Sequence, residues 1–141
     1  MSTEDNKALA INFYKEQDRL KGKLSEALTA PNYTASINGG PPITSTGHEE
    51  MAAMFWAAFP DIQQTVEETV AEGDKVAVRI TLRATHTGNF MGTPPTGKQI
   101  AVSGMGIVHI VEGKVAELGE TIDLIGLMEQ IGAIPAPGQA S

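Results

Sequence analysis

From Val76 to Ala84 the chain alternates without a break. Val76, Val78, Ile80, Leu82 and Ala84 occupy every second position, against Arg79, Thr81 and Arg83 between them. A period of two is the mark of a strand with one buried face, because successive side chains point to opposite sides of a sheet. The preceding Ile62, Gln64, Val66, Glu68 and Val70 partly alternate as well, and Gly73-Asp74 supplies a turn between the two runs. Two longer runs follow, Lys98 to Val111 and Lys114 to Asp123, joined at Glu112-Gly113. Four successive segments of this kind predict an antiparallel meander, which needs helices to cover its apolar face.

Those helices come first in the chain. Ser2 and Asp5 have capping-box spacing before a helix predicted over Thr3 to Lys21, with Leu9, Phe13, Gln17 and Leu20 along one face. Leu24 to Leu28 reads as a short helical piece, Ala30-Pro31-Asn32 as a turn and Tyr33 to Ile37 as a strand. Asn38 to Pro42 is a loop. Thr46 and Glu49 repeat the capping signature before Met51, Met54, Phe55, Ala58 and Phe59, and Pro60 stops that helix. Leu124 to Ile131 reads as a short closing helix, and 134–141 as a loose tail. The fold class is α+β, with a single domain over 1–141 and a curved sheet around the helices.

Composition narrows the partners. A net charge of −7 disfavours nucleic acid, whose phosphates require a Lys/Arg surplus, and disfavours an anionic membrane surface. The absence of cysteine removes disulfides, thiol catalysis and thiolate metal sites. No run approaches the ~20 apolar residues of a membrane span, so the expected location is cytoplasmic. The three histidines show no His-x-His or His-x-x-x-His spacing, so no metal is expected.

The last hairpin sets the expected site. A three-residue turn at Val111-Glu112-Gly113 pairs Ile110 with Lys114 and gathers the odd-numbered residues on one face. That face carries Ser103, Met105, Ile107 and His109 beside Glu117, Gly119, Thr121 and Asp123. The even face, with Ile100, Val102, Val108, Ile110, Ala116, Leu118 and Ile122, is almost wholly apolar. Polar groups converging among apolar neighbours suit a ligand cavity, so the odd face is expected inside and the even face against a partner subunit. Asp123 in such a setting is a candidate general acid/base, with an N-cap as its competing role. His109 is its candidate partner, with a surface histidine near the hairpin end as the competing reading. Trp56, Phe55, Phe59 and Phe90 join Met105, Ile107 and Thr121 as candidate substrate-binding residues. His86, just past the Val76 to Ala84 run, is expected to hold the following loop, and His48 to be solvated.

Five segments then fall in a recognisable order: Phe59-Pro-Asp-Ile62, Glu72-Gly-Asp-Lys-Val76, Thr85-His-Thr-Gly88, Met91-Gly-Thr-Pro-Pro-Thr-Gly97 and Asp123-Leu-Ile-Gly-Leu-Met-Glu-Gln-Ile-Gly132. Together they resemble the SnoaL-like polyketide cyclase family. The resemblance implies a cone-shaped α+β barrel of the ketosteroid isomerase and nuclear transport factor 2 type, with a deep apolar pocket and dimers through the sheet. It also implies acid/base chemistry without a cofactor, an aldol closure or isomerisation of a small hydrophobic carbonyl compound, with the carboxylate at Asp123 and a pocket histidine at His109. Ile107 and Thr121 stand where the cyclases carry a glutamine and a histidine. The competing functions are a non-catalytic module for a hydrophobic ligand and an epoxide hydrolase. The latter is disfavoured because Arg79 and Arg83 lie opposite the apolar row.

Overall fold

The structure, a computed structural model, describes residues 2–135 and Gly138. Helix α1 spans Thr3–Arg19 and begins on the expected capping box, in which Ser2 Oγ accepts from Asp5 N at 3.0 Å and Asp5 Oδ2 from Ser2 N at 3.3 Å. Its buried face runs Asn6, Ala10, Phe13, Tyr14 and Gln17, a helical stripe that ends in polar rather than apolar residues. The helix stops at Leu20, and Lys21 and Gly22 take left-handed conformations that turn the chain back. No helix forms at Leu24 to Leu28, where the chain only turns. Strand β1 starts early, at Thr29, and runs to Ile37 through Pro31, which the sequence reading placed in a turn. Proline is tolerated there because that stretch of β1 is irregularly paired: its register with β6 shifts between Thr29 and Thr34.

A two-residue strand β2, Ile43–Thr44, pairs with β1 and leads directly into helix α2, Ser45–Ala58. The pairing brings the helix start forward, so Thr44, not Thr46, is the N-cap, accepting from Gly47 N at 3.2 Å. Strands β3 (Gln63–Glu72), β4 (Lys75–Thr85), β5 (Gln99–Val111) and β6 (Lys114–Ile122) form the expected antiparallel meander, and α3 (Leu124–Gln130) closes it. The sheet order is β2-β1-β6-β5-β4-β3, with β1 parallel to β6. This is an α+β fold whose curved sheet stays open between β2 and β3. The tail expected at 134–141 falls mostly outside the described residues. Among the described residues no helix is long and apolar enough to cross a membrane.

Two apolar clusters fill the concave side. One joins Phe13 and Tyr14 of α1 to Tyr33, Val78, Val108 and Leu118. The other joins Phe59 at the end of α2 to Phe90, Ile100, Val102, Leu127 and Ile131. Both draw on the even positions of β5, and this overturns the expected face assignment. Ile100, Val102, Val108 and Ile110 are at most 4% exposed, whereas Met105 and Ile107 are 57% and 54% exposed. The row with more apolar area wins the interior, since burial contributes roughly 25 cal/mol per Å².

The turn also differs. Val111 pairs with Lys114 across a two-residue turn, with φ of 52° at Glu112 and 75° at Gly113, as a type I′ hairpin requires. A bulge then pairs Ile110 with Val115 and His109 with Glu117. The extra residue restores the parity that the shorter turn alone would have reversed. His109, Glu117, Thr121 and Asp123 therefore do share a face with Met105 and Ile107, but it is the outer one.

Candidate active site

The concave side also holds a cavity of about 240 Å³, lined by side chains from all three helices, from β1, β3, β4 and β6, and from the adjoining loops. Ile37, Met51, Ala52, Met54, Phe55, Trp56, Leu82, Met91, Ile122 and Leu124 make its wall mostly apolar. Five polar side chains interrupt that wall: Gln17, Asn38, His48, Gln64 and Glu120.

Glu120 is the carboxylate among them. It sits between Leu118 and Ile122 on the inner row of β6, paired with Gly106 of β5 and with Ile37 of β1. Its Oε1 accepts from the Tyr14 hydroxyl at 2.8 Å, and among the described residues Oε2 has no partner. Burial raises its pKa from 4.5 to about 7, the Tyr14 hydrogen bond acting in the opposite sense. The phenol of Tyr14 is itself pushed well up by burial and by the neighbouring carboxylate, so it remains a donor. The pair fits because β5 has glycine opposite: a Cβ at Gly106 would stand 3.2 Å from the Tyr14 hydroxyl and 3.1 Å from the Gly119 carbonyl oxygen.

The backbone around Glu120 is fixed from the β1 side. Asn38 adopts φ of 50°, donates its N–H to the Glu120 carbonyl at 2.8 Å and accepts from Ile122 N through Oδ1 at 2.7 Å. Asn tolerates this left-handed conformation better than most residues.

On α2, His48 is buried, against the expectation that it is solvated. The pairing of β2 with β1 starts the helix early and turns this residue inward. Its Nδ1 lies 2.9 Å from the Tyr33 hydroxyl and its ring stacks on that phenol. Burial lowers its pKa, which keeps the imidazole neutral at physiological pH. On the α1 and β3 side, Gln64 Nε2 donates to Gln17 Oε1 at 3.1 Å and to Asp18 Oδ1 at 2.9 Å, while Gln64 N donates to Asp18 Oδ2 at 2.7 Å. Among the described residues no three His, Asp or Glu side chains come together as a metal site.

The expected site residues are divided by this geometry. Phe55 and Trp56 line the cavity, and the indole Nε1 of Trp56 is buried without a partner. Phe59 and Phe90 lie beneath it, packed on one another with ring centroids 5.3 Å apart. Met105, Ile107 and Thr121 stand on the outer face. Asp123, expected in the cavity, is exposed and caps α3, accepting from Gly126 N at 2.8 Å. His109, expected beside it, instead bonds Asp74 through Nε2 at 2.8 Å, and that bond lowers the Asp74 pKa. His86 holds the loop as expected: Nδ1 meets the Thr96 hydroxyl at 2.9 Å and accepts from Thr96 N at 3.2 Å.

Reading the odd face as the interior hid Glu120, and Tyr14, His48 and Gln64 reach the cavity from other elements, α1, α2 and β3. One signal was present: Glu120 is a charged residue flanked by Leu118 and Ile122 in the mostly apolar even row, the pattern of a functional carboxylate in a core.

Comparison with known proteins agrees with this architecture. The family model described as SnoaL-like polyketide cyclase matches residues 8–131. Over 84 residues the chain is 26% identical to the aklanonic acid methyl ester cyclase DauD of Streptomyces sp. (strain C5) and, over the same length, 29% identical to DnrD of Streptomyces peucetius. Each match takes in 57% of this chain and 52% or 58% of the relative, so it spans about half the length of these curated proteins. Among solved structures, AclR of Streptomyces galilaeus, a candidate hydroxylase, superposes with a TM-score of 0.87 at 29% identity, covering 98% of this chain and 87% of AclR. IdmH of Streptomyces antibioticus, a candidate polyketide cyclase, gives 0.77 at 26% identity, with 94% and 99% covered. With the sheet topology, the inner cavity and a family match over nearly its whole length, the chain belongs to the SnoaL-like polyketide cyclase family.

Proposed function

We propose that this chain is a cyclase-type enzyme that moves a proton beside a carbonyl of a small hydrophobic compound, using Glu120 and no cofactor. Glu120 carries the proposal: a carboxylate in an apolar cavity, with a pKa raised by burial to about 7, can take and return a proton at neutral pH. In an aldol closure the ionised carboxylate removes a proton from the carbon next to a carbonyl, leaving an enolate. The enolate carbon bonds to a second carbonyl carbon of the same molecule, and the resulting alkoxide takes the proton back from Glu120. Tyr14 holds Oε1, so Oε2 is the oxygen that meets the substrate. Phe55, Trp56 and the methionines 51, 54 and 91 give the reacting carbons a mostly apolar wall. The exposed Met105 and Ile107 on the outer sheet face support a homodimer through that face.

The test uses proton exchange at the acidic carbon of an aromatic β-keto ester in D₂O, together with turnover of aklanonic acid methyl ester, the compound named for the curated relatives. Glu120→Gln should slow both by about 10²- to 10⁴-fold, the usual contribution of a positioned acid/base. Rates within a few-fold of the unaltered chain would overturn the proposal. AclR supports a second reading, hydroxylation of an apolar compound, in which added dioxygen supplies the inserted oxygen atom and an added reductant the two electrons that carry its second atom to water. A product heavier by one oxygen atom would favour it.

A further inference from the structure

An enolate formed by Glu120 places negative charge on the former carbonyl oxygen, and Tyr14 cannot receive that oxygen while it donates to Glu120. The cavity wall offers another donor, whose direction follows from a chain of amides. Asp18 accepts two N–H groups of Gln64, at 2.7 Å from the backbone and 2.9 Å from Nε2. A carboxylate only accepts, so Gln64 must present its NH₂ to Asp18 and not its oxygen. The second hydrogen of that NH₂ goes to Gln17 at 3.1 Å, so Gln17 must accept there through Oε1. The remaining terminus of Gln17 is its own NH₂. Gln17 is only 6% exposed, it lines the cavity, and among the described residues Nε2 has no partner.

We propose that Gln17 donates to the substrate carbonyl and holds the charge its oxygen gains, and that Asp18 is a positioning residue fixing that donor through Gln64. This rests on the reading of Glu120 as the base, because only a proton taken at the neighbouring carbon charges that oxygen. The placement is economical along the chain. Gln17 lies one helical turn from Tyr14 on α1, so one face of one helix holds both the carboxylate and the donor. The ligand group selected is a hydrogen-bond acceptor, a ketone or its enolate, on an otherwise apolar body.

The amide chain makes a prediction about polarity. Asp18→Asn can donate to Gln64, which lets both amides rotate and turns the oxygen of Gln17 toward the cavity. Binding is measured with two compounds of nearly equal shape, 2-acetylnaphthalene and 2-isopropylnaphthalene, the second lacking the acceptor. The unaltered chain should bind the ketone about tenfold more tightly, as expected for one hydrogen bond near the upper end of its usual net range. Asp18→Asn should bring that ratio to about one while hydrocarbon binding stays, and Gln17→Met, which keeps the shape without the donor, should do the same. A ratio near one in the unaltered chain, or an unchanged ratio in both variants, overturns the proposal. Glu120→Gln separates the two readings. It should slow proton exchange by about 10²- to 10⁴-fold yet keep the ketone preference, so loss of the preference only in the Asp18 and Gln17 variants assigns the donor independently of the base.

Discussion

Two carboxylates close together in the chain, Glu120 on the inner face of β6 and Asp123 just past its end on the outer side, have different environments. Glu120, on the inner face, is desolvated between Leu118 and Ile122 and shares a hydrogen bond with a buried phenol. Asp123, three residues on, stands in solvent and caps α3. The chemistry of the two side chains is nearly the same. Burial makes Glu120 a group that exchanges its proton near neutral pH, at a cost to stability.

That cost is the largest effect to look for. Glu120 has a folded-state pKa of about 7 against 4.5 in the unfolded chain. Below pH 4.5 it is protonated in both states and costs nothing; between 4.5 and 7 the unfolded state releases its proton first, so stability falls as pH rises. Above about pH 7 the loss reaches about 3 kcal/mol at most. Glu120→Gln should therefore be more stable than the unaltered chain at about pH 8, by up to that amount, and equal to it at about pH 4. Urea denaturation at both pH values measures it. No gain at the higher pH would place Glu120 in water. Asp123→Ala should lower stability by about 1 kcal/mol through loss of the cap and leave activity unchanged. A large loss of activity with the helix intact would return Asp123 to the catalytic role the sequence suggested. His109→Ala, which removes a solvent-exposed pair with Asp74, should shift neither the thermal midpoint nor the rate measurably. A rate lowered in proportion to the Asp123 variant would show that the outer pair works as a unit.

The contrast also shows where the sequence was informative. The alternation at Val76 to Ala84, the capping box at Ser2 and Asp5 and the turn at Gly73-Asp74 are local signals, and each element formed where they put it. The grouping of His109 with Glu117 and Asp123 was also right, though through a type I′ turn and a bulge in place of a three-residue turn. Which face is interior is not a local property. It depends on the apolar row of β5 meeting α1 and the Phe59–Phe90 cluster, so polar residues that looked convergent in sequence converge on solvent. His48 was hidden for a related reason: a two-residue strand, too short to read in the sequence, starts its helix early. Gln17 was visible on the apolar face of α1, but its partners Asp18 and Gln64 are brought together only by the packing of α1 on β3.

The central claim is that the inner face of the β5–β6 hairpin holds a carboxylate that titrates near neutrality. The direct measurement follows the side-chain carboxyl ¹³C resonance of Glu120 from about pH 4 to about pH 9, assigned by its loss in Glu120→Gln. A midpoint near 7 is the predicted result. A midpoint at the ordinary glutamate value, 4.5, would contradict the account.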